Sequence, residues 1–266
     1  MLSSLAPARR RLVLAAGALV LVAAVVLGVV LLTRGGDDPA GPAPQQQAGP
    51  VVLVPGYGGS TTGLQRLAAT LRDDGKDATV MSLPGDGRGD LDAQARALAE
   101  TVDSVRERTG ARSVDVIGYS AGGVVARLWV ASHGGADLAR RVITLGSPHH
   151  GTAIASLAGS LLPSACPTAC RQLTPDSPLL ERLNAGDETP AGPSWVSIWS
   201  DRDRVVTPPT SARLDGALNI TLQSVCPGNR AGHGDLPTDG DVAAIVAAEL
   251  APGPPRAPTA ADCVSS

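Results

Sequence analysis

Between residues 50 and 250 the chain keeps repeating one alternation, a short apolar β-branched run followed by a stretch with apolar residues at helical spacing. The runs are VVLVP from Val51, ATVMSL from Ala78, SVDVIG from Ser113, RVITLG from Arg141, SWVSIW from Ser194 and LNITLQ from Leu218. Helical spacing fills 62–74, 91–108, 121–133 and 239–250; in the second of these Leu91, Ala95, Leu98, Val102 and Val105 fall on one face. Strands that are apolar throughout are buried on both faces, and strands separated by helices pair in parallel. The expected class is α/β, a mostly parallel sheet with helices on both faces. Functional groups then belong in the loops beyond the carboxyl ends of the strands. Residues 150–190 are less regular, and nothing in them reads as a second domain.

Composition limits the core and the partners. The chain has no Phe and only 2% aromatic residues, so Val, Leu, Ile and Ala must fill the interior. A formal net charge of −3 leaves no basic footprint, which argues against nucleic acid as a partner.

Ahead of the alternation lies an uncharged apolar run over 12–32, long enough to cross a bilayer as a helix. Arg9, Arg10 and Arg11 precede it, and Arg34, Asp37 and Asp38 follow. That asymmetry keeps the N-terminus inside and sends the rest of the chain out. Residues 1–11 then form a cytoplasmic basic segment, 12–32 a transmembrane signal anchor, and 33–49 a flexible linker rich in Gly, Pro, Gln and Asp. The folded domain would span 50–251, outside the cytoplasmic membrane, and 252–266 would be a Pro-rich tail. A cleaved signal peptide, giving a secreted protein, is the alternative. The small-residue site it needs, near Ala40–Ala43, lies well past the apolar run.

Four cysteines, Cys166, Cys170, Cys226 and Cys263, are an even set suited to disulfides in an exported chain. CPTAC suggests a local loop closed by Cys166 and Cys170, leaving Cys226 to tie Cys263 of the tail. A structural zinc site is the rival, but the paired CxxC spacing it uses is missing.

The chemistry centres on Gly118-Tyr119-Ser120-Ala121-Gly122, a G-x-S-x-G sequence between a strand and a helix. Glycines permit the sharp turn that lifts the hydroxyl clear of the sheet, and the new helix turns its unpaired N–H groups toward it. A serine needs a base, and the base an orienting acid, here in the chain order serine, acid, histidine. His233, after the sixth strand, fits that order. His133 sits at a helix end and reads as an interaction with that helix's carboxyl terminus. His149 and His150 lie on the functional face but precede the plausible acids. Asp201 and Asp203 follow the fifth strand, and either can be a surface carboxylate beside Arg202 or Arg204; Asp203, which leads into Val205-Val206, is preferred. One oxyanion donor is the N–H of Ala121, and the second belongs to the loop PGYGGS, 55–60.

From about 50 to 250 the chain resembles the α/β-hydrolase superfamily, and within it small bacterial lipases and esterases without a large cap. VVLVPGYGG is similar to their oxyanion strand and loop, VIGYSAGG to their nucleophile elbow, and SIWSDRDRVV and Gly232-His233 to their acid and histidine loops. VITLGSPHHGT is similar to the segment after the fourth strand. The resemblance implies Ser120, Asp203 and His233 as catalytic residues, Tyr57 and Ala121 as oxyanion donors, and no cofactor or metal. Where many relatives carry His-Gly, this chain has Pro55-Gly56, which changes the shape of the oxyanion loop. The activity implied is hydrolysis of carboxylic esters, lipid acyl esters among them. An acyltransferase using the same acyl-enzyme, and a catalytically silent cell-surface binding module, are the alternatives.

Overall fold

The computed structural model describes residues 16, 18, 20–26, 43–161 and 166–264. Six strands, β1 (Val51–Val54), β2 (Ala78–Val80), β3 (Val114–Tyr119), β4 (Ala139–Leu145), β5 (Ser194–Trp199) and β6 (Leu218–Thr221), form one sheet in the order β2-β1-β3-β4-β5-β6. Every pairing is parallel. The helices that position the site are α1 (Thr62–Asp73), α2 (Leu91–Thr109), α3 (Ala121–Ser132), α4 (Ala153–Leu161), α5 (Thr168–Gln172), α6 (Pro178–Asn184) and α7 (Gly240–Glu249).

The period of two in the strands sorts the core into two layers. Val51 and Leu53 join Ile117, Ile143 and Ile198 against Leu64, Leu67 and Leu71 of α1 and Val242 and Ile245 of α7. Val52 and Val54 join Val116 and Val142 against Leu91, Leu98 and Val102 of α2 and Val124 and Trp129 of α3. Each buried aliphatic side chain contributes on the order of 1.5–3 kcal/mol, which is how a core without Phe is sufficient. The chain leaves β1 toward one edge through α1, then returns through α2 to place β3 on the other side of β1. Right-handed crossovers running in opposite directions put these two helices on opposite faces. The reversal makes the carboxyl ends of β1 and β3 the switch point, where such sheets open a crevice.

The α2 helix starts at Asp90, whose carboxylate accepts from the N–H groups of Asp92 and Ala93, and ends at Gly110 with φ 69°. Beneath the sheet Arg140 forms a fully buried pair with Asp115, at 2.8 and 2.6 Å, and also donates to the carbonyls of Gln45, Leu250 and Ala251. Gln45 in turn donates to the Arg140 carbonyl and accepts from Ser194. Residues 43–49, read from composition as the end of a flexible linker, are therefore packed on the domain, because the Gln45 amide satisfies buried groups at the strand ends. The stretch 150–190 also departs from expectation: it contains α4, α5 and α6, of nine, five and seven residues, too short for an apolar period to repeat clearly.

Both expected disulfides are present, Cys166–Cys170 and Cys226–Cys263, and no cysteine is free. With every sulfur oxidised, no thiolate remains to hold zinc. Of the apolar run 12–32, residues 16, 18 and 20–26 are described and are helical. Among the described residues no helix is long and apolar enough to cross a membrane. The rest of that run, the basic segment 1–11 and residues 33–42 lie outside the described residues.

Candidate active site

β3 ends at Tyr119 and α3 begins at Ala121, so Ser120 alone makes the turn between them. Its backbone has φ 54° and ψ −127°, the only positive φ outside glycine among the described residues. Such a conformation costs on the order of 1–3 kcal/mol and persists only where the surroundings enforce it. Here the enforcement is close packing of strand on helix. A Cβ on Gly118 would come within 2.5 Å of the Gly123 Cα, and one on Gly122 would run into the carbonyls of Val54 and Pro55. The Ser120 N–H donates to the Leu145 carbonyl at 2.9 Å, which fixes the turn to β4.

The loop after β6 carries His233 to this turn, and the loop after β5 carries Asp203 to the histidine. His233 Nε2 lies 3.0 Å from Ser120 Oγ, and His233 Nδ1 lies 2.6 Å from Asp203 Oδ2. The other Asp203 oxygen accepts from the N–H groups of Val205 and Val206, both at 2.8 Å. A carboxylate accepts only, so Nδ1 carries the proton and Nε2 presents its lone pair to the serine. Both Asp203 and His233 are buried. Asp201, the other acid considered, is exposed and donates its backbone N–H to Gln223.

Three neighbours, Tyr119, Ser200 and Gly146, surround the pair. Tyr119 donates its hydroxyl to the His233 carbonyl at 3.2 Å and packs its ring against the imidazole, 5.2 Å between centroids. Burial, with Asp203 and Asp235 nearby, pushes the Tyr119 hydroxyl up to about 12, so it remains a donor. Ser200 is fully buried and donates to the Ala231 carbonyl, while accepting from Arg202 N–H and Gln223 Nε2. Gly146, just past β4, leaves room for both partners: a Cβ there would lie 3.2 Å from Asp203 Oδ2 and 3.3 Å from His233 Nδ1. Tyr119 occupies a variable position of the motif and Ser200 a generic loop position. Only Gly146, a glycine at a strand's carboxyl end, left a readable mark.

The remaining histidines stand apart. His133 caps α3 through its backbone N–H, as its position suggests, but its imidazole pairs with Asp92 of α2 at 2.7 Å. His150 pairs with Glu188 at 2.7 Å. His149 is wholly buried, with Nε2 3.1 Å from Thr144 Oγ1.

The Tyr57 N–H makes no hydrogen bond to a described residue, and Ala121 is the first residue of α3, whose N–H has no intrahelical acceptor. Beside Ser120 opens a pocket of about 220 Å³ lined by Tyr57, Pro148, Thr152, Ile154, Ala155, Ala158, Cys170, Leu173, Val205 and Val206. None of these side chains is charged. A larger cleft between α1 and α7, about 330 Å³ and lined by Arg66, Asp74 and Asp239 among others, includes neither Ser120 nor a histidine in its lining.

Comparison with known proteins agrees with this architecture. A family model described as the alpha/beta hydrolase fold matches residues 49–165. Lipase B of Aspergillus fumigatus superposes with a TM-score of 0.68 at 20% identity, covering 82% of this chain and 56% of the fungal one. The chain thus spans little more than half the length of that lipase. Mature lipase BlEst2 of Bacillus licheniformis gives 0.55 at 22% identity, covering 70% and 86%. A gene product of Listeria innocua gives 0.52 at 14%, covering 74% and 91%. The chain has the alpha/beta-hydrolase fold, which it shares with these lipases.

Proposed function

We propose that the protein is a serine hydrolase that cleaves carboxylic esters, with lipid acyl esters as its substrate class. The observation that carries this reading is an aligned Ser120–His233–Asp203 chain opening onto an uncharged, apolar pocket. His233 Nε2 takes the Ser120 proton as Oγ attacks the ester carbon, and Asp203 stabilises the imidazolium that forms. The tetrahedral oxyanion is met by the N–H groups of Tyr57 and Ala121. His233 then gives its proton to the departing alcohol, leaving an acyl-enzyme. Water, deprotonated by His233, releases the acid and restores the serine. The scheme uses no cofactor.

Lipid esters are favoured over small polar ones because the pocket is apolar and exposed apolar side chains gather at its mouth. Tyr57, Ile154 and Val205 line it while exposed, and Leu157 on the same helix is exposed one turn beyond Ile154. Exposed apolar groups gathered at one place mark a contact surface. The test is fluorophosphonate labelling of the full chain, with hydrolysis of an ester series of increasing acyl length. Labelling at Ser120 and a preference for chains longer than acetyl are expected. No labelling, with all esters left intact, sinks the proposal.

The apolar run 12–32 is proposed to remain as a signal anchor that keeps the domain at the outer face of the cytoplasmic membrane. Its length and the arginines before it support this. N-terminal sequencing of the protein from whole cells tests it; a mature chain starting near residue 40, recovered from the medium, replaces the anchor with a cleaved signal.

A further inference from the structure

Beside Tyr57 at the rim of the pocket stands one charged group with no ion-pair partner among the described residues. Arg88 is exposed in the loop between β2 and α2, and its guanidinium carbon lies 5.7 Å from the centre of the Tyr57 ring. Its carbonyl accepts from the Ala169 N–H, in the turn closed by the Cys166–Cys170 disulfide. The residue is thus fastened on two sides to the rim, since Tyr57 and Cys170 both line the pocket. Its loop also packs on the oxyanion loop, where the Gly58 N–H donates to the Gly87 carbonyl at 3.2 Å.

Two acids are near in sequence, and each is otherwise engaged. Asp86 accepts from the Arg88 backbone N–H, and Asp90 caps α2 and meets Gln172. Among the described residues Arg88 forms no ion pair. A guanidinium held against an aromatic face, with its N–H fork unused, is suited to a planar or tetrahedral oxyanion. The pocket carries no charge, so it suits the acyl chain, and the part of the ester left at the rim is the alcohol.

We propose that Arg88 is a specificity-determining residue that selects esters whose alcohol portion carries an anionic phosphate or carboxylate. This rests on the ester-hydrolase reading of Ser120, and the test separates the two. Monoacyl esters of glycerol, glycerol 3-phosphate and glycerate, with one acyl chain and below their aggregation concentrations, are compared by kcat/KM. The full-length wild type should favour both charged esters, or one of them, over the neutral ester by roughly three- to tenfold at low salt, the size of one partly exposed charge contact. The preference should shrink as the Debye length falls from about 30 Å at 0.01 M salt to about 8 Å at 0.15 M. Arg88→Gln should remove it and Arg88→Glu reverse it, with thermal melting showing both variants folded. A phosphate-only preference assigns the contact to phosphorylated alcohols, and a preference for both to anions in general. Equal kcat/KM for all three esters, or a preference unchanged in Arg88→Glu, overturns the assignment while Ser120 labelling keeps the hydrolase reading intact. Failure of labelling and of all three hydrolyses overturns both.

Discussion

Ser200 donates its hydroxyl to the Ala231 carbonyl at 2.6 Å, joining the loop that carries Asp203 to the loop that carries His233. The same oxygen accepts from Gln223 Nε2 at 2.9 Å, and Gln223 Oε1 accepts from the Asp201 N–H. The two loops come from different strands, so their spacing depends on such cross-links rather than on the sheet. Fully buried and thrice bonded, this hydroxyl ties the loop of the acid to the loop of the imidazole.

Ser200→Ala should therefore lower kcat by roughly 10- to 100-fold, the scale of a misplaced catalytic group, with little change in KM. Steady-state kinetics normalised to phosphonate-titrated active sites makes the measurement. An unchanged kcat per active site, with a lowered melting temperature, would make Ser200 a structural residue only.

Replacement within the proposed catalytic set should be far more damaging. Ser120→Ala and His233→Ala should each lower kcat by about 10⁴-fold or more, and Asp203→Asn by a comparable factor through the wrong imidazole tautomer. Asp201→Asn should stay within about threefold, since its carboxylate is exposed and only its backbone N–H is engaged. If Asp201→Asn does the greater harm, the acid has been misassigned.

How much of this was legible in the sequence depends on the range of the interaction. The strands, and the helices over 62–73, 91–109, 121–132 and 240–249, follow from local periodicity, and the elbow from glycines flanking one serine. Asp203 and His233 were readable because chain order and the carboxyl ends of strands restrict where partners can stand. Arg140 was not: nothing around it says that a charged residue at the start of β4 is fully buried on Asp115, because that burial depends on carbonyls some 110 residues away. The helices α4 to α6 were missed for a related reason. Each is short, and its contacts are remote in sequence: α4 and α5 contribute Ile154, Ala158 and Cys170 to the pocket, and Arg127 donates to the Leu183 carbonyl at the end of α6.

The pocket wall offers a test of acyl length. Ala158 on α4 faces the cavity near Ser120, and a larger side chain there fills space that an acyl chain would use. Each methylene kept out of an apolar site loses about 0.8 kcal/mol of burial. Ala158→Leu should thus lower kcat/KM for octanoyl esters by about tenfold while acetyl esters change by less than about threefold. Equal losses at both lengths would mean that the acyl chain lies elsewhere.

The tail is fastened to the segment that carries His233. The Cys226–Cys263 bond closes a loop with a sequence separation of 37 that includes His233, and the Val264 N–H donates to buried Asp241 at 2.8 Å. Asn229, within the closed loop, reaches the same carboxylate at 2.8 Å. Cys263→Ser should cost about 2–4 kcal/mol by relaxing the unfolded chain, a fall of roughly 5–15 °C in melting temperature. Calorimetry of the oxidised wild type against the variant checks it; a fall of less than about 2 °C counts against the linkage.

His149 gives the protein a dependence on pH that is separate from catalysis. Ser197 donates to the Ala212 carbonyl and Thr144 donates to Ser197, so His149 Nε2 must be the donor to Thr144 Oγ1. Nδ1 is then a bare lone pair, buried and without a partner among the described residues. Protonation would put a charged donor there with nothing to accept it. Burial first, then Arg127 and His150, hold the imidazole well below its ordinary value. The unfolded chain takes up a proton near pH 6.5 while the folded one refuses it, so below that pH the unfolded state binds more protons. Stability from this group is complete above about pH 6.5 and is lost as pH falls, at up to about 1.4 kcal/mol per pH unit. Urea unfolding of wild type and His149→Gln between pH 8 and pH 5 isolates the effect, since every other titrating group is common to both proteins. The wild type should lose the larger share of its stability below pH 6.5, and the difference between the two curves should have a slope near zero above it. Parallel curves across the whole range would mean that His149 accepts a proton in the folded protein as readily as in the unfolded chain.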